Sequence, residues 1–357
     1  MGYVRHRRAC RTGNADPVKR SFALLALAGA SLAAVLVASP HASALPPPMV
    51  NDNVIQGDSL PRALGDFGFF RDGAGRSPDP SLIAYELNTA LWSDGADKLR
   101  YVYVPEGTQI GTDGDGLLQF PVGSAIIKTF AFGEGADQRF IETRVLLHRT
   151  DGWLALPYRW NEEQTEARLA IAGARLPITT PAGEEISYRI PNKNQCKACH
   201  QMEGTVIPIG PKARNLSPDL LSELAARGFI DEAPDVASPL PIWGSASAST
   251  ADLARAYLDV NCAHCHQPGA GASNSGLDLR WEQDDPHAIG IRKPPVAAGR
   301  GAGGHLVSIA PGDPDASILI YRMDSNEPGV AMPELGRATI DREAISVMRD
   351  WIAEMDQ

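Results

Sequence analysis

The sequence predicts an α+β chain of several domains, with an antiparallel β domain first and helical segments after it. Three observations carry this. From about residue 82 to 190 the chain is a series of short runs rich in β-branched and aromatic residues, separated by Gly, Asp and Pro turns. From Thr250 onward apolar residues recur at helical spacing. Between these regions a Pro/Ser/Ala-rich stretch, residues 231–248, reads as a linker.

Residues 1–44 have the layout of a secretory signal peptide. A basic segment, "RHRRACRTGNADPVKR", precedes the apolar run "FALLALAGASLAAVLVA", and Ala42-Ser43-Ala44 offers a small-x-small cleavage site. The apolar run has about 17 residues, marginal for spanning a bilayer, so cleavage is expected rather than a stable membrane anchor. No Cys follows it to accept a lipid. The chain carries 33 basic and 43 acidic residues; cleavage removes six and one, leaving a formal charge of −15. That balance argues against nucleic acid or an anionic membrane surface as partner, and for a partner with a basic patch.

The β domain is expected over 45–190. Its strand candidates are "LRYVYVP", "SAIIKTFAF", "FIETRVLLHR", "WLALPYRW", "ARLAIAG" and "EISYRIP". A sandwich or a strongly curved sheet is the natural arrangement. A short helix is expected over 59–72, "SLPRALGDFGFFRD". Residues 191–230 contain "NLSPDLLSELAARGFID", where Ser217 can cap a helix, Pro218 suits its first position and Gly228 can end it. Residues 249–357 open on Ser249 and Asp252 at capping-box spacing and close on "DREAISVMRDWIAEM", where Ala344, Met348, Trp351, Ile352 and Met355 share a helix face.

The cysteines carry the chemistry. There are five: Cys10, in the leader, and Cys196, Cys199, Cys262 and Cys265. The last four form two Cys-x-x-Cys pairs, each followed at once by His, "CKACH" and "CAHCH". Two thiols at this spacing can form thioethers to the two vinyl groups of one haem, and the next residue is then held where a His nitrogen meets the iron. A redox disulfide or half a zinc site would use the same pair without the adjacent His. Two covalent c-type haems are therefore expected, on Cys196, Cys199 and His200, and on Cys262, Cys265 and His266. His264, between the cysteines of the second motif, is expected to be a solvent-facing spacer.

With these motifs in view, the expected architecture is an N-terminal antiparallel β domain followed by α-helical cytochrome c-type haem domains. The first haem segment would pack on the β domain, and residues 249–357 would form a cytochrome c-like domain. For the second haem, Met332 in the rigid "AMPELG" loop is the expected sixth ligand, ahead of Met323. For the first, Met202 lies too near His200 to reach the opposite face. The segment 191–230 is too short to wrap a haem alone, so His148 on "FIETRVLLHR" is the leading single candidate. His287, His305, Met323 and an open iron remain alternatives.

These stretches, together with "YELNTALWSDGADKLRYVYVPEGT", "ETRVLLHRTDGWLALPYRWNEEQTEA", "IPIGPKARNL" and "PGDPDASILIYRM", resemble a family of bacterial dihaem c-type cytochromes with an N-terminal β domain. The resemblance runs from about residue 60 to the C-terminus. It implies two covalent haems, a periplasmic or surface location, and a parallel β-helix protein as a candidate partner.

A periplasmic electron-transfer protein, relaying electrons between a redox donor and acceptor, is the leading functional expectation. One alternative is a peroxidase-like oxidoreductase with an open first haem. Another is a cytochrome whose β domain docks a partner, with Trp153, Tyr158 and Trp160 as candidate contacts, although core packing is the simpler account of those rings.

Overall fold

The computed structural model describes residues 49–356. The predicted signal peptide, residues 1–44, lies outside the described residues. The largest element is an antiparallel sheet, a meander of six strands in sequence order: β1 (Ile83–Ala84), β2 (Asp97–Tyr103), β3 (Ala125–Phe132), β4 (Arg139–Arg149), β5 (Gly152–Trp160) and β6 (Ala167–Leu169). Five of the six predicted runs fall on β2 to β6. β3 is apolar at most positions because both of its faces are covered. On one face Tyr103, Ile127, Leu147, Leu156 and Tyr158 pack on Ile55, Phe67 and Phe69. On the other, Val102, Ile126, Leu146 and Ala155 pack on Cys196, Ala213, Leu216, Leu221 and Leu224. Burying Leu221 and Leu224, each 3% exposed, stabilises this closure by about 1.5–3 kcal/mol apiece.

The helix expected over 59–72 is a single 3-10 turn, Leu64–Phe67. Pro61 precedes it, and Gly68 ends it at φ +68°, where a Cβ would sit 2.0 Å from the Met49 carbonyl oxygen. A helix forms earlier instead, α1 (Asp52–Gln56), capped by the Asn51 side chain, which accepts from the Val54 amide at 3.3 Å. A hairpin that the sequence reading half missed follows the meander: β7 (Ala174–Thr179) pairs with β8 (Glu185–Ile190). Pro177 inside β7 hid that strand. Then come α2 (Lys193–Cys199), the two-residue strands β9 (Gln201–Met202) and β10 (Thr205–Val206), and α3 (Pro218–Ala226), capped by Ser217 as predicted.

The expected α-helical cytochrome c-type haem domain is not what the second half forms. The structure is mainly antiparallel sheet and only 24% helical. Residues 249–357 contain two twelve-residue helices, α4 (Thr250–Asn261) and α7 (Arg342–Ala353), and two shorter ones, α5 (Pro286–Ile289) and α6 (Ile318–Met323). Everything else there is turns and 3-10 pieces. The cause is composition: between α4 and α7 the chain is dense in Gly and Pro, which remove or loosen the i→i−4 ladder.

The described residues fall within one compact unit. The expected linker is laid onto it. The Leu240 amide donates to the Arg214 carbonyl at 2.8 Å, and the Trp243 amide to the Asn88 carbonyl at 2.8 Å. The turn at Trp92–Asp94 ties the sheet region to the second half: the Trp92 amide donates to Asn261 Oδ1 at 2.8 Å, and Asp94 Oδ1 accepts the Ala338 and Thr339 amides at 2.7 and 2.8 Å.

Candidate functional site

The first motif is set by α2. Asn192 caps it reciprocally with Gln195, each side chain accepting from the other's amide, at 2.9 and 3.0 Å. Cys196 and Cys199, three apart, fall on one helix face, and His200 ends the helix. His200 Nδ1 lies 2.9 Å from the Ile207 carbonyl oxygen. A carbonyl only accepts, so Nδ1 carries the hydrogen and Nε2 keeps its lone pair. Burial, with Lys128 nearby, lowers the His200 pKa to about 3, so the ring is neutral.

The second motif follows α4 directly. The His266 amide closes the turn onto the Cys262 carbonyl at 3.0 Å. His266 Nδ1 lies 2.9 Å from Ser275 Oγ, whose own hydrogen goes to the Ala272 carbonyl at 2.7 Å. Ser275 must therefore accept, and His266 too presents a free Nε2. Burial, with Arg322 nearby, lowers its pKa to about 4. All four thiols are free. Burial raises Cys196 and Cys265 to about 11 and Cys262 to about 12.

The two motifs meet, which the sequence did not suggest. Met202 forms a β-bridge with Ala270, and the Glu203 amide donates to the Gly269 carbonyl at 2.9 Å. Gly269, at φ +80°, allows this approach, because a Cβ there would lie 3.2 Å from Met202 Sδ. The Met202 backbone thus helps join the motifs.

One cavity of about 680 Å³ lies at this junction. Cys199 reaches it from the first motif; Cys262, Cys265 and His266 reach it from the second; Met332 and Met323 both line it. The Met332 loop is anchored: the Met332 amide donates to the Arg322 carbonyl at 3.0 Å, and Arg337 holds the carbonyls of Ser325 and Thr339 at 2.6 and 2.9 Å. Met323 is 7% exposed and belongs to the core of α4, α6 and α7. Trp92 and the cations Arg322 and Arg337 complete the wall.

His264 is not the solvent-facing spacer expected. It lines the same cavity, and its Nδ1 is buried without a hydrogen-bond partner. The sequence held no signal for this, because the turn geometry after α4 decides which way the ring points.

Around His200 the space is smaller, about 90 Å³, and strongly cationic, with Lys98, Arg100, Lys128 and Lys212 in its wall. His148 is not among the residues lining it. His148 Nδ1 donates to the Phe120 carbonyl at 2.8 Å, and its ring stacks on Trp153 with centroids 4.5 Å apart. His287 is exposed on α5, and His305 packs against Tyr321. Of the proposed docking rings, Tyr158 and Trp160 are core residues.

A haem tests differently at the two motifs. At the second, the free Nε2 of His266, two free thiols and a roomy, mostly apolar cavity with thioethers in its wall all suit it. At the first, the imidazole and thiols suit it, while the open space beside His200 holds only a small group. Among the described residues, no three His, Cys, Asp or Glu side chains converge as a metal-ligand set, and no helix is long and apolar enough to cross a membrane. No family model matches the chain, and neither a curated protein nor a solved structure matches it.

Proposed function

We propose that the chain is an exported dihaem c-type cytochrome that transfers electrons between redox proteins. One observation supports it most. The sequence spacing that attaches haem occurs twice, and the fold sets the two motifs against each other around a shared cavity with both motif imidazoles neutral and Nε2-free. When bound, haem supplies reversible one-electron chemistry.

The chain's own residues supply the rest. Cys262, Cys265, His266 and Met332, which all line the large cavity, would hold the group there. Ser275 fixes the His266 tautomer, which keeps Nε2 aimed away from its hydrogen-bonded side. Trp92, Leu258 and Leu279 give the cavity an apolar wall. Arg322 and Arg337 offer charge to carboxylates at its edge. Cys196, Cys199 and His200 would hold the second group, where Ala198 and Cys199 reach the large cavity. Closeness of the motifs suits electron passage between them, and the acidic chain suits a partner with a basic face.

The test is the intact mass of the chain expressed in a host with haem-attachment machinery. The expected result is two covalent haems, one lost in Cys196→Ser/Cys199→Ser and the other in Cys262→Ser/Cys265→Ser. An unmodified chain overturns the reading.

A further inference from the structure

We infer that the chamber beside His200 is a receptor for a single carboxylate or small oxyanion, held by Lys98, Arg100 and Lys128. Sheet register gathers these side chains. Arg100 on β2 lies opposite Lys128 on β3, and Lys128 lies opposite Arg144 on β4, so three cations form one rung. Lys98 stands one position along on the same face, opposite Phe130. Like charges directly opposite one another repel. This rung is not on an open surface, because the segment from Cys196 to Leu224 covers that face.

The counter-charges do not balance it. Arg144 is satisfied by Glu142, at 2.9 and 2.5 Å. Arg100 meets only the exposed Glu86 at 3.4 Å and the Lys98 carbonyl at 3.0 Å. The Lys98 ammonium bonds the Ala96 carbonyl at 2.8 Å. Lys128 makes no side-chain hydrogen bond among the described residues and its ammonium rests 5.2 Å from the Phe130 ring centroid; the carboxylate that acts on it, Glu142, is already engaged by Arg144 and Tyr188. Lys212, on the opposite wall, is neutralised by Asp259, 2.9 Å from each oxygen. Lys98 and Lys128 are half-buried, and an ammonium drawn out of water with no carboxylate of its own is costly unless an anion joins it. Burial, with Arg100 and Arg144 nearby, lowers both Lys98 and Lys128 to about 7, in keeping with that cost. The space, about 90 Å³, equals roughly three water volumes, enough for a carboxylate and too small for a macrocycle.

Two sources could supply that anion: a carboxylate of a group attached at the first motif, or a free ion. The first source rests on the haem reading above; the second does not. The test measures saturable stabilisation by acetate and by nitrate, against chloride at equal ionic strength. It uses the protein as isolated, Cys196→Ser/Cys199→Ser, and each of these with Lys128→Met or Lys98→Met. Intact mass reports separately how many haems each protein carries, so failure of the haem reading is seen on its own. Stabilisation of the protein as isolated, weakened about tenfold or more by Lys128→Met, identifies a free anion. Stabilisation confined to Cys196→Ser/Cys199→Ser, and weakened likewise, identifies the attached group's carboxylate. No stabilisation in any background, with both Met variants simply melting higher, overturns the receptor.

Discussion

The two Cys-x-x-Cys-His motifs share a sequence pattern and stand in opposite surroundings. The second ends a long helix and opens on a large cavity lined by apolar side chains, with methionines in its wall. The first is pressed against a sheet, beside a small chamber lined by cations. Even the tautomer-fixing bonds differ: His200 donates to a backbone carbonyl, and His266 to the hydroxyl of Ser275. The lesson is that spacing along the chain sets the covalent chemistry, while register and helix ends set the electrostatics around it.

The sharpest way to break this contrast is to remove one pair of thiols. Cys262→Ser/Cys265→Ser is expected to abolish attachment at the second motif entirely and leave the first loaded, read by intact mass. Loss of both haems would mean that the two sites are not separable.

Next comes Met332→Ala beside Met323→Ala. If Met332 completes the second site, its loss lowers that site's potential by a sizeable fraction of the roughly 0.8 V that axial ligands span. Met323→Ala is expected to cost about 2–5 kcal/mol of stability through its cavity in the core, and to leave the potential in place. Redox titration and thermal melting separate the two. A potential that follows Met323 reverses the assignment.

A pH series probes the first site. The unfolded chain protonates Lys98 and Lys128 near pH 10.5, and the folded haem-free chain near 7. Between those values the unfolded state binds more protons, so stability rises with pH across pH 7 to 10 and is lowest below 7. Arg100 and Arg144 depress both lysines, and Lys98 also depresses Lys128; Asp94 and Asp97 partly support Lys98, and Glu142 supports Lys128. Lys128→Met is expected to flatten the rise in melting curves of Cys196→Ser/Cys199→Ser.

The smallest effect is expected from Ser275→Ala. It removes the acceptor for His266 Nδ1 and leaves the ligand itself, so redox titration is expected to show a small shift in that haem's potential with the fold intact. His200 has no equivalent variant, because its acceptor is backbone.

Much of this was legible in the sequence, for physical reasons. Strands β2 to β6 announce themselves by β-branched runs between turn residues, and α3 by its Ser-Pro cap. The motifs are legible because thioether chemistry depends on local spacing. Over 249–357 the two end helices form as expected around a loop-rich middle, but the structure as a whole is mainly antiparallel sheet and only 24% helical, so no α-helical haem domain results. Leu240 and Trp243 made the expected linker part of the body. The site's electrostatics were hidden because Arg100, Lys128 and Arg144 become neighbours only through register. His264 was misread because its direction depends on a turn and not on a pattern. His148 was singled out only because the first haem lacked another partner; in the structure its Nδ1 donates to the Phe120 carbonyl, its ring stacks on Trp153, and it does not line the chamber beside His200.

The contrast between the motifs is tested most directly by low-temperature spin-resonance spectra of the oxidised protein, with Met332→Ala recorded beside it. The expected spectra contain two distinct haem-iron signals, and only one of them changes in the variant. A single signal, or two that both stay fixed, would contradict two unlike haem sites with Met332 at the second.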